Sequence, residues 1–382
     1  MNRIYHRYMW ILAAVFAGML ATVICFNVIV DPYGVWRIVE RQGFNAAKPT
    51  RRDQNYMFKA VDLARRTAPV LLYGSSRVAF GLDPDSADES LGCRGCSYNA
   101  ALTGGHMKAL HAYLMHTLEQ GAPLEHVIWG IDFFAFDRGT RLAPVFDPTR
   151  LNHFGMSAND AIFAATGLAT TWRSLRTVGA NATPPVDEPY SDDGHLTAAD
   201  MREQVARVGM RQRFRRSLDL YLNGRFTAYQ PSAEAWRLFD DALRRLRERG
   251  VKVTVFVPPT HAVHLEALRL RGLWDCWSAF KRRLAEHTAY WDFSGTNPVT
   301  AEPIRDTMDH YWDISHFRAS VGERILTQIT GADGADMGFG QRIRADNVDT
   351  HLAAARRALA AWREHNPDDA AFVRERMKTG TD

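Results

Sequence analysis

A serine hydroxyl becomes a nucleophile when a base takes its proton and a carboxylate orients and stabilises that base. This chain carries all three groups. The apolar run Pro69-Val-Leu-Leu-Tyr73 leads straight into Gly74-Ser75-Ser76-Arg77, and far downstream stands Asp313-Ile-Ser-His316. Asp313 and His316 are three residues apart, so a single turn of chain can present both to one strand edge. The chemistry this implies is acyl transfer through a serine ester. Further candidates fall near the same edge. Arg77 adjoins the serine pair, Asp132-Phe133-Phe134 follows a second apolar run, and Pro258-Pro259-Thr260-His261 follows a third. All are candidates for contacting a substrate, His261 being also a rival base and the two phenyl rings being of a kind that more often simply packs in the core. Tyr311 and Trp312, just ahead of Asp313, suit either stacking on a sugar ring or anchoring the loop. The sequence has no HExxH and no glycine-rich phosphate loop, so neither a metal nor a cofactor is expected.

The elements that must position these residues alternate. Strand-length apolar runs at 69–73, 126–131, 251–257 and 289–293 are separated by helical patterns at 106–120, 234–249 and 264–287. Such alternation predicts an α/β fold, a parallel sheet with helices on both faces and chemistry at its carboxyl edge. Residues 137–232 hold no clear strand and read as a helical insertion that caps or shapes the site. Residues 331–382 begin Gly-rich and turn Ala/Arg-rich, a helical tail. The expected organisation is a stub over 1–8, an anchor over 9–30, a polar linker and helix over 31–66, the main domain over 67–330, and the tail.

Composition averages two unlike parts. The chain has 382 residues, 46% hydrophobic, with 47 basic against 43 acidic residues and a mean hydropathy of -0.28. That excludes a polytopic membrane protein and gives no argument for nucleic acid. The densest basic run, Arg207, Arg211, Arg213, Arg215 and Arg216, reads as a solvated helix face, or as a surface near an anionic glycan or lipid headgroups. Nearly all the unusual apolarity lies in Met9–Val30, which carries no charge and is long enough to cross about 30 Å of hydrocarbon. Arg3, His6 and Arg7 precede it, so a signal anchor with its amino end in the cytoplasm and its body exported is expected, with a cleaved signal as the alternative. Export places Cys93 and Cys96, in Cys-Arg-Gly-Cys, where a short local disulfide is expected.

In this order, the Gly-x-Ser block and the late Asp-x-x-His resemble the SGNH (GDSL-like) hydrolase superfamily. More narrowly they are similar to its membrane-anchored branch that modifies envelope polymers, of the alginate-acetylation and teichoic-acid D-alanylation type. The resemblance runs from Asp31-Pro32-Tyr33 through His316-Phe317-Arg318 and Val321-Gly322, leaving the insertion unmatched. It implies a three-layer, flavodoxin-like domain, Ser76 as nucleophile with Ser75 the adjacent alternative, His316 as base and Asp313 as its orienter. It also implies an oxyanion held by backbone N–H groups of Ser76 and of Gly104 or Gly105. Typical members carry Gly-x-Asn-Asp after the middle strand, whereas this chain has Gly130-Ile131-Asp132. An ionised carboxylate donates no hydrogen bond, so Asn99 is the expected substitute donor. The function implied is an acyltransferase or esterase on O-acyl groups of a cell-envelope polysaccharide, served by a membrane-bound acyl-donor protein. The alternative is a non-catalytic glycan-binding or scaffold protein of the same fold.

Overall fold

The structure is a computed structural model that describes residues 2–139, 142–332 and 338–378. Outside the described residues lie Met1 of the expected stub, 140–141 of the insertion, and 333–337 and 379–382 of the tail. The chain divides into two compact units, one of residues 1–65 with 147–191, the other of 66–146 with 192–382. The expected insertion is therefore shared between the two units, and the expected linker, up to Arg65, belongs to the first.

Helix α1 (Asn2–Val30) contains the apolar run and, among the described residues, is the one helix long and apolar enough to cross a membrane. It stops where the sequence changes character. Asp31 takes φ 50°, Pro32 follows, and the Asp31 carboxylate accepts from the N–H groups of Val35, Trp36 and Arg37 at 2.8–2.9 Å. Helix α2 (Asn55–Arg65) completes the first stretch of this unit.

The second unit is built on a six-stranded sheet. Strand β1 (Val70–Tyr73) is followed by α3 (Ser76–Gly81), α4 (Pro84–Leu91), β2 (Ser97–Asn99), α5 (Met107–Glu119) and β3 (His126–Gly130). The chain then contributes α6 (Ala158–Thr166) and α7 (Leu168–Asn181) to the first unit. The second resumes with α8 (Ala199–Val208), α9 (Met210–Leu220), a π-helical turn (Tyr221–Arg225), α10 (Ala233–Glu248) and β4 (Lys252–Val257). It ends with α11 (Ala262–Leu270), α12 (Trp274–His287), β5 (Tyr290–Asp292), α13 (Ala319–Thr330), β6 (Gln341–Ile343), α14 (Val348–His365) and α15 (Pro367–Lys378).

The sheet order is β2-β1-β3-β4-β5-β6, parallel throughout except for β6 against β5. Every residue of β1 and β3 is buried, which is why both read as continuous apolar runs rather than alternating ones. From β1 the chain moves to β2 on one side and later to β3 on the other. The order thus reverses between β1 and β3, the crevice where open α/β sheets place ligands.

Two glycine contacts fix how the element after β1 leaves the sheet. Gly74 adopts φ +149°, and a Cβ there would lie 2.7 Å from both the Gly130 carbonyl oxygen and Val78 Cγ2. At the far end of α3, a Cβ on Gly322 of α13 would come 1.6 Å from the Gly81 carbonyl oxygen. Backbone cannot yield as a flexible side chain does, so Gly322→Ala should lower the unfolding free energy by about 1–3 kcal/mol. Urea denaturation of the full chain in detergent reads this directly; an unchanged midpoint would mean that α13 and α3 are not held so close.

The four expected strands are all present. Two strands are additional: β2, and β6, which joins the expected tail to the sheet as its antiparallel edge. The single helix expected over 264–287 is broken in two at Gly272, which takes φ 73°.

Candidate active site

Three elements converge on Ser76. At the end of β1 the chain turns through Gly74, Ser75 caps α3 with its hydroxyl accepting from the Arg77 N–H (3.3 Å), and Ser76 is the first helical residue. Capping occupies the buried Ser75 hydroxyl, whereas Ser76 Oγ lies 3.0 Å from His316 Nε2. The base comes from the loop before α13. Tyr311 bridges Phe317, the Trp312 N–H donates to the His316 carbonyl (2.9 Å) and the Arg318 N–H to that of His310 (2.8 Å). Asp313 to His316 is therefore the tip of a pinned turn, with Ile314 buried beneath it.

Within that turn His316 Nδ1 sits 2.9 and 3.0 Å from the two Asp313 carboxylate oxygens. The carboxylate also accepts from the N–H groups of Ser315 (2.8 Å) and His316 (2.9 Å), and from the Arg213 guanidinium (3.0 Å). Burial opposes its charge, but His316, Arg213 and the Ser315 N–H outweigh burial, and Asp313 is held well below the usual carboxylate range. The hydrogen-bonding pattern leaves Nε2 facing the hydroxyl and has Nδ1–H donating to the carboxylate, as a general base for a serine requires.

Because the folded protein binds the Asp313 proton less tightly than the unfolded chain does, its contribution to stability is complete above the ordinary carboxylate pKa. It is lost as pH falls through the depressed native value. Asp313→Asn should therefore flatten the acid limb of a plot of urea midpoint against pH. Identical slopes for the two proteins would refute the assignment.

Arg213 lies within the basic run read from sequence as a solvated helix face. It is instead buried, with Nε donating to the Trp312 carbonyl (3.1 Å) and further bonds to Gln204 and Asp313. A cavity of about 250 Å³ opens over the serine, lined by Ser76, Asp313 and His316, by Phe134, and by Arg213, Arg216, Tyr221 and Arg225. The last two residues come from the π-helical turn, an irregularity common at functional sites. Arg216 and Arg225 make no ion pair among the described residues.

Several sequence-based expectations are corrected. Asn99 is not an oxyanion donor: it is fully buried, and its amide donates to the carbonyls of Val78 (3.0 Å) and Leu82 (2.8 Å), fastening the end of α3. Gly105 likewise spends its N–H on the Leu102 carbonyl (3.0 Å). Gly104, in left-handed backbone at φ +68°, finds no acceptor for its N–H among the described residues, and Ser76 stands at the helix position whose N–H lacks an intrahelical partner.

Arg77 and Asp132 do not line the cavity; they form a buried ion pair, and Arg77 also donates to Ser315 Oγ (3.1 Å) and Tyr221 OH (3.2 Å). Burial works against the Arg77 charge, and Asp132 with Tyr221 more than restores it. Phe133 is buried against Tyr229 with ring centroids 4.0 Å apart, while Phe134 reaches the cavity. His261 is fully buried, caps α11 through Val263 N–H (3.2 Å) and donates from Nε2 to the Glu302 carbonyl (2.6 Å). Burial lowers its pKa to about 4, and it meets neither cavity nor serine. Trp312 is buried with the Arg318 guanidinium 3.8 Å from its ring, so it anchors the loop. Cys93 and Cys96 are joined in a disulfide.

Fold and site together define an α/β chain with a serine–histidine–aspartate constellation at the carboxyl edge of a parallel sheet. Compared with protein-family models, with curated proteins and with solved structures, the chain matches none.

Proposed function

We propose that this chain is a membrane-anchored, SGNH-type serine acyltransferase or esterase acting on O-acyl groups of a cell-envelope polysaccharide. The observation that carries the reading is Ser76 Oγ at 3.0 Å from His316 Nε2, with His316 Nδ1 on a buried carboxylate. Ser76 attacks the acyl carbonyl, His316 takes the hydroxyl proton, and the oxyanion is met by backbone N–H groups of Ser76 and Gly104. Collapse of the intermediate releases the first alcohol, which receives the proton from His316. A glycan hydroxyl or water then takes the acyl group by the same steps in reverse. The order Gly-x-Ser, strand, Asp-x-x-His supports the SGNH reading, α1 supports attachment to the inner membrane with the body exported, and Arg216 and Arg225 suit an acidic glycan. The acyl donor in this reading is a membrane-bound protein. The membrane anchor and the residues that α9 and the π-helical turn add to the cavity wall support transfer over hydrolysis.

One observation favours a second reading, a non-catalytic glycan-binding or scaffold protein: Asn99, the amide expected to hold the oxyanion, is spent on α3. A fluorophosphonate applied to the full chain in detergent separates the two. Phosphonylation of Ser76 and not Ser75, located by mass spectrometry, is expected of the enzyme. Absence of any adduct, together with no release of phenol from an aryl acetate, would establish the scaffold reading. An acetylated glycan acceptor appearing alongside faster phenol release marks transfer, and release indifferent to acceptor marks an esterase.

A further inference from the structure

Helix α7 has its polarity reversed for a protein surface in water. Its inward stripe is Thr170, Ser174, Thr177 and Asn181, all buried, while Leu168, Trp172 and Leu175 on its outward stripe are 89%, 63% and 52% exposed. Ile162 of α6 is 61% exposed as well. A helix against water buries its apolar stripe and exposes its polar one. Here three of the four inward polar residues are satisfied internally, Thr177 Oγ1 finding no partner among the described residues: Thr170 Oγ1 donates to the Phe163 carbonyl (2.8 Å), Ser174 Oγ to Asn27 Oδ1 (2.9 Å) and Asn181 to the Ala47 carbonyl (2.9 Å). The outward face is left facing a medium that is not water.

The position of α1 identifies that medium. α1 packs on both α6 and α7; its residues from Arg3 to Thr22 are all exposed, and burial begins at Val23. With Arg7 at one hydrocarbon boundary, a length of about 30 Å at 1.5 Å per residue ends near Asn27. Asn27 is where the hairpin attaches, its amide donating to the Ala165 carbonyl (2.9 Å) and to Thr171 Oγ1 (3.0 Å). Contact starting at Val23 lies about 6 Å deeper, within the reach of helices that lie in a membrane interface. Trp172 suits the boundary itself, and exposed Arg176, one turn along, suits lipid phosphate.

We propose that the α6–α7 hairpin is a second membrane contact, its Ile162, Leu168, Trp172 and Leu175 face dipping into the interface of the bilayer that α1 spans. This rests on α1 as a spanning helix and not on the chemistry at Ser76. The bilayer that covers α1 continues over this face without any further partner.

The test uses the full chain with Cys25 and Cys276 changed to Ser, reconstituted alone in phosphatidylethanolamine–phosphatidylglycerol vesicles. Nitroxide labels are placed through Leu168→Cys and Trp172→Cys, with Val15→Cys in α1 and Glu248→Cys on α10 as references. Labels at 168 and 172 should fall between those at 15 and 248, meeting more oxygen and less of a polar nickel chelate than the label at 248, as an interfacial depth requires. Chelate access like that at 248 would overturn the proposal, and shielding from both reagents would replace the bilayer by a second copy of the chain. In unlabelled protein, Trp172→Phe should remove part of the indole quenching by brominated acyl chains; undiminished quenching would also count against it.

Discussion

Replacing Ser76 by Ala should lower acyl release from an aryl acetate on the order of 10⁴–10⁶-fold and abolish fluorophosphonate labelling. The size follows from what remains. Without the hydroxyl, His316 and Asp313 can only assist water, and the N–H groups of Ser76 and Gly104 still polarise a carbonyl. That residue of catalysis is worth about 10³–10⁴ over the uncatalysed reaction. Because hydroxyl and imidazole act as a unit, Ser76→Ala with His316→Ala should be no slower than either change alone. Steady-state rates of the three variants decide the matter: losses that multiply would mean that Ser76 and His316 work independently, and the 3.0 Å contact between them would have no catalytic meaning.

Asp132→Ala should cost about 3–5 kcal/mol of stability, the usual cost of leaving a buried charge without its partner. The charge left behind is the Arg77 guanidinium, 5% exposed and bonded to Ser315, Tyr221 and Asp132. Removing both charges, as in Arg77→Met with Asp132→Ala, should recover much of the loss, since an apolar side chain of similar length asks for no counter-charge. Urea midpoints of the two single variants and the double variant form the cycle. Additive losses would show that the pair does not act as a pair. Activity should fall with Asp132→Ala too, because Arg77 holds Ser315, the neighbour of His316, in place.

How far the sequence reveals this molecule depends on range. Strands β1, β3, β4 and β5 are legible because burial makes them apolar runs. β2 and β6 span three residues each and carry mostly polar side chains, Ser97, Asn99, Gln341 and Arg342, whereas β5, equally short, sits within the run Ala289-Tyr-Trp-Asp-Phe293. Ser76, Asp313 and His316 are legible because order within a strand–helix alternation is itself information. Asn99 misleads, since the sequence offers an amide able to donate but not the two carbonyls waiting at the end of α3. His261 misleads likewise: it follows a strand that reaches the site, and only packing shows that it turns into the core, while Trp312, open to either role in the sequence, proves to be the loop's anchor. Arg213 is the plainest case. Five arginines within ten positions read as one solvated face, and the carboxylate that draws one of them inward lies 100 residues downstream.

That separation also bears on modularity. The inserted stretch is the kind of segment a protein engineer trims, being strandless and outside the alternating core. Arg213 makes it indispensable to the site, since excising α9 would strip a buried carboxylate of its cation and unseat the imidazole it steadies. The order of synthesis follows the same logic. The serine emerges first, the arginine next and the aspartate last, so the carboxylate is buried in a chain that already holds its counter-ion.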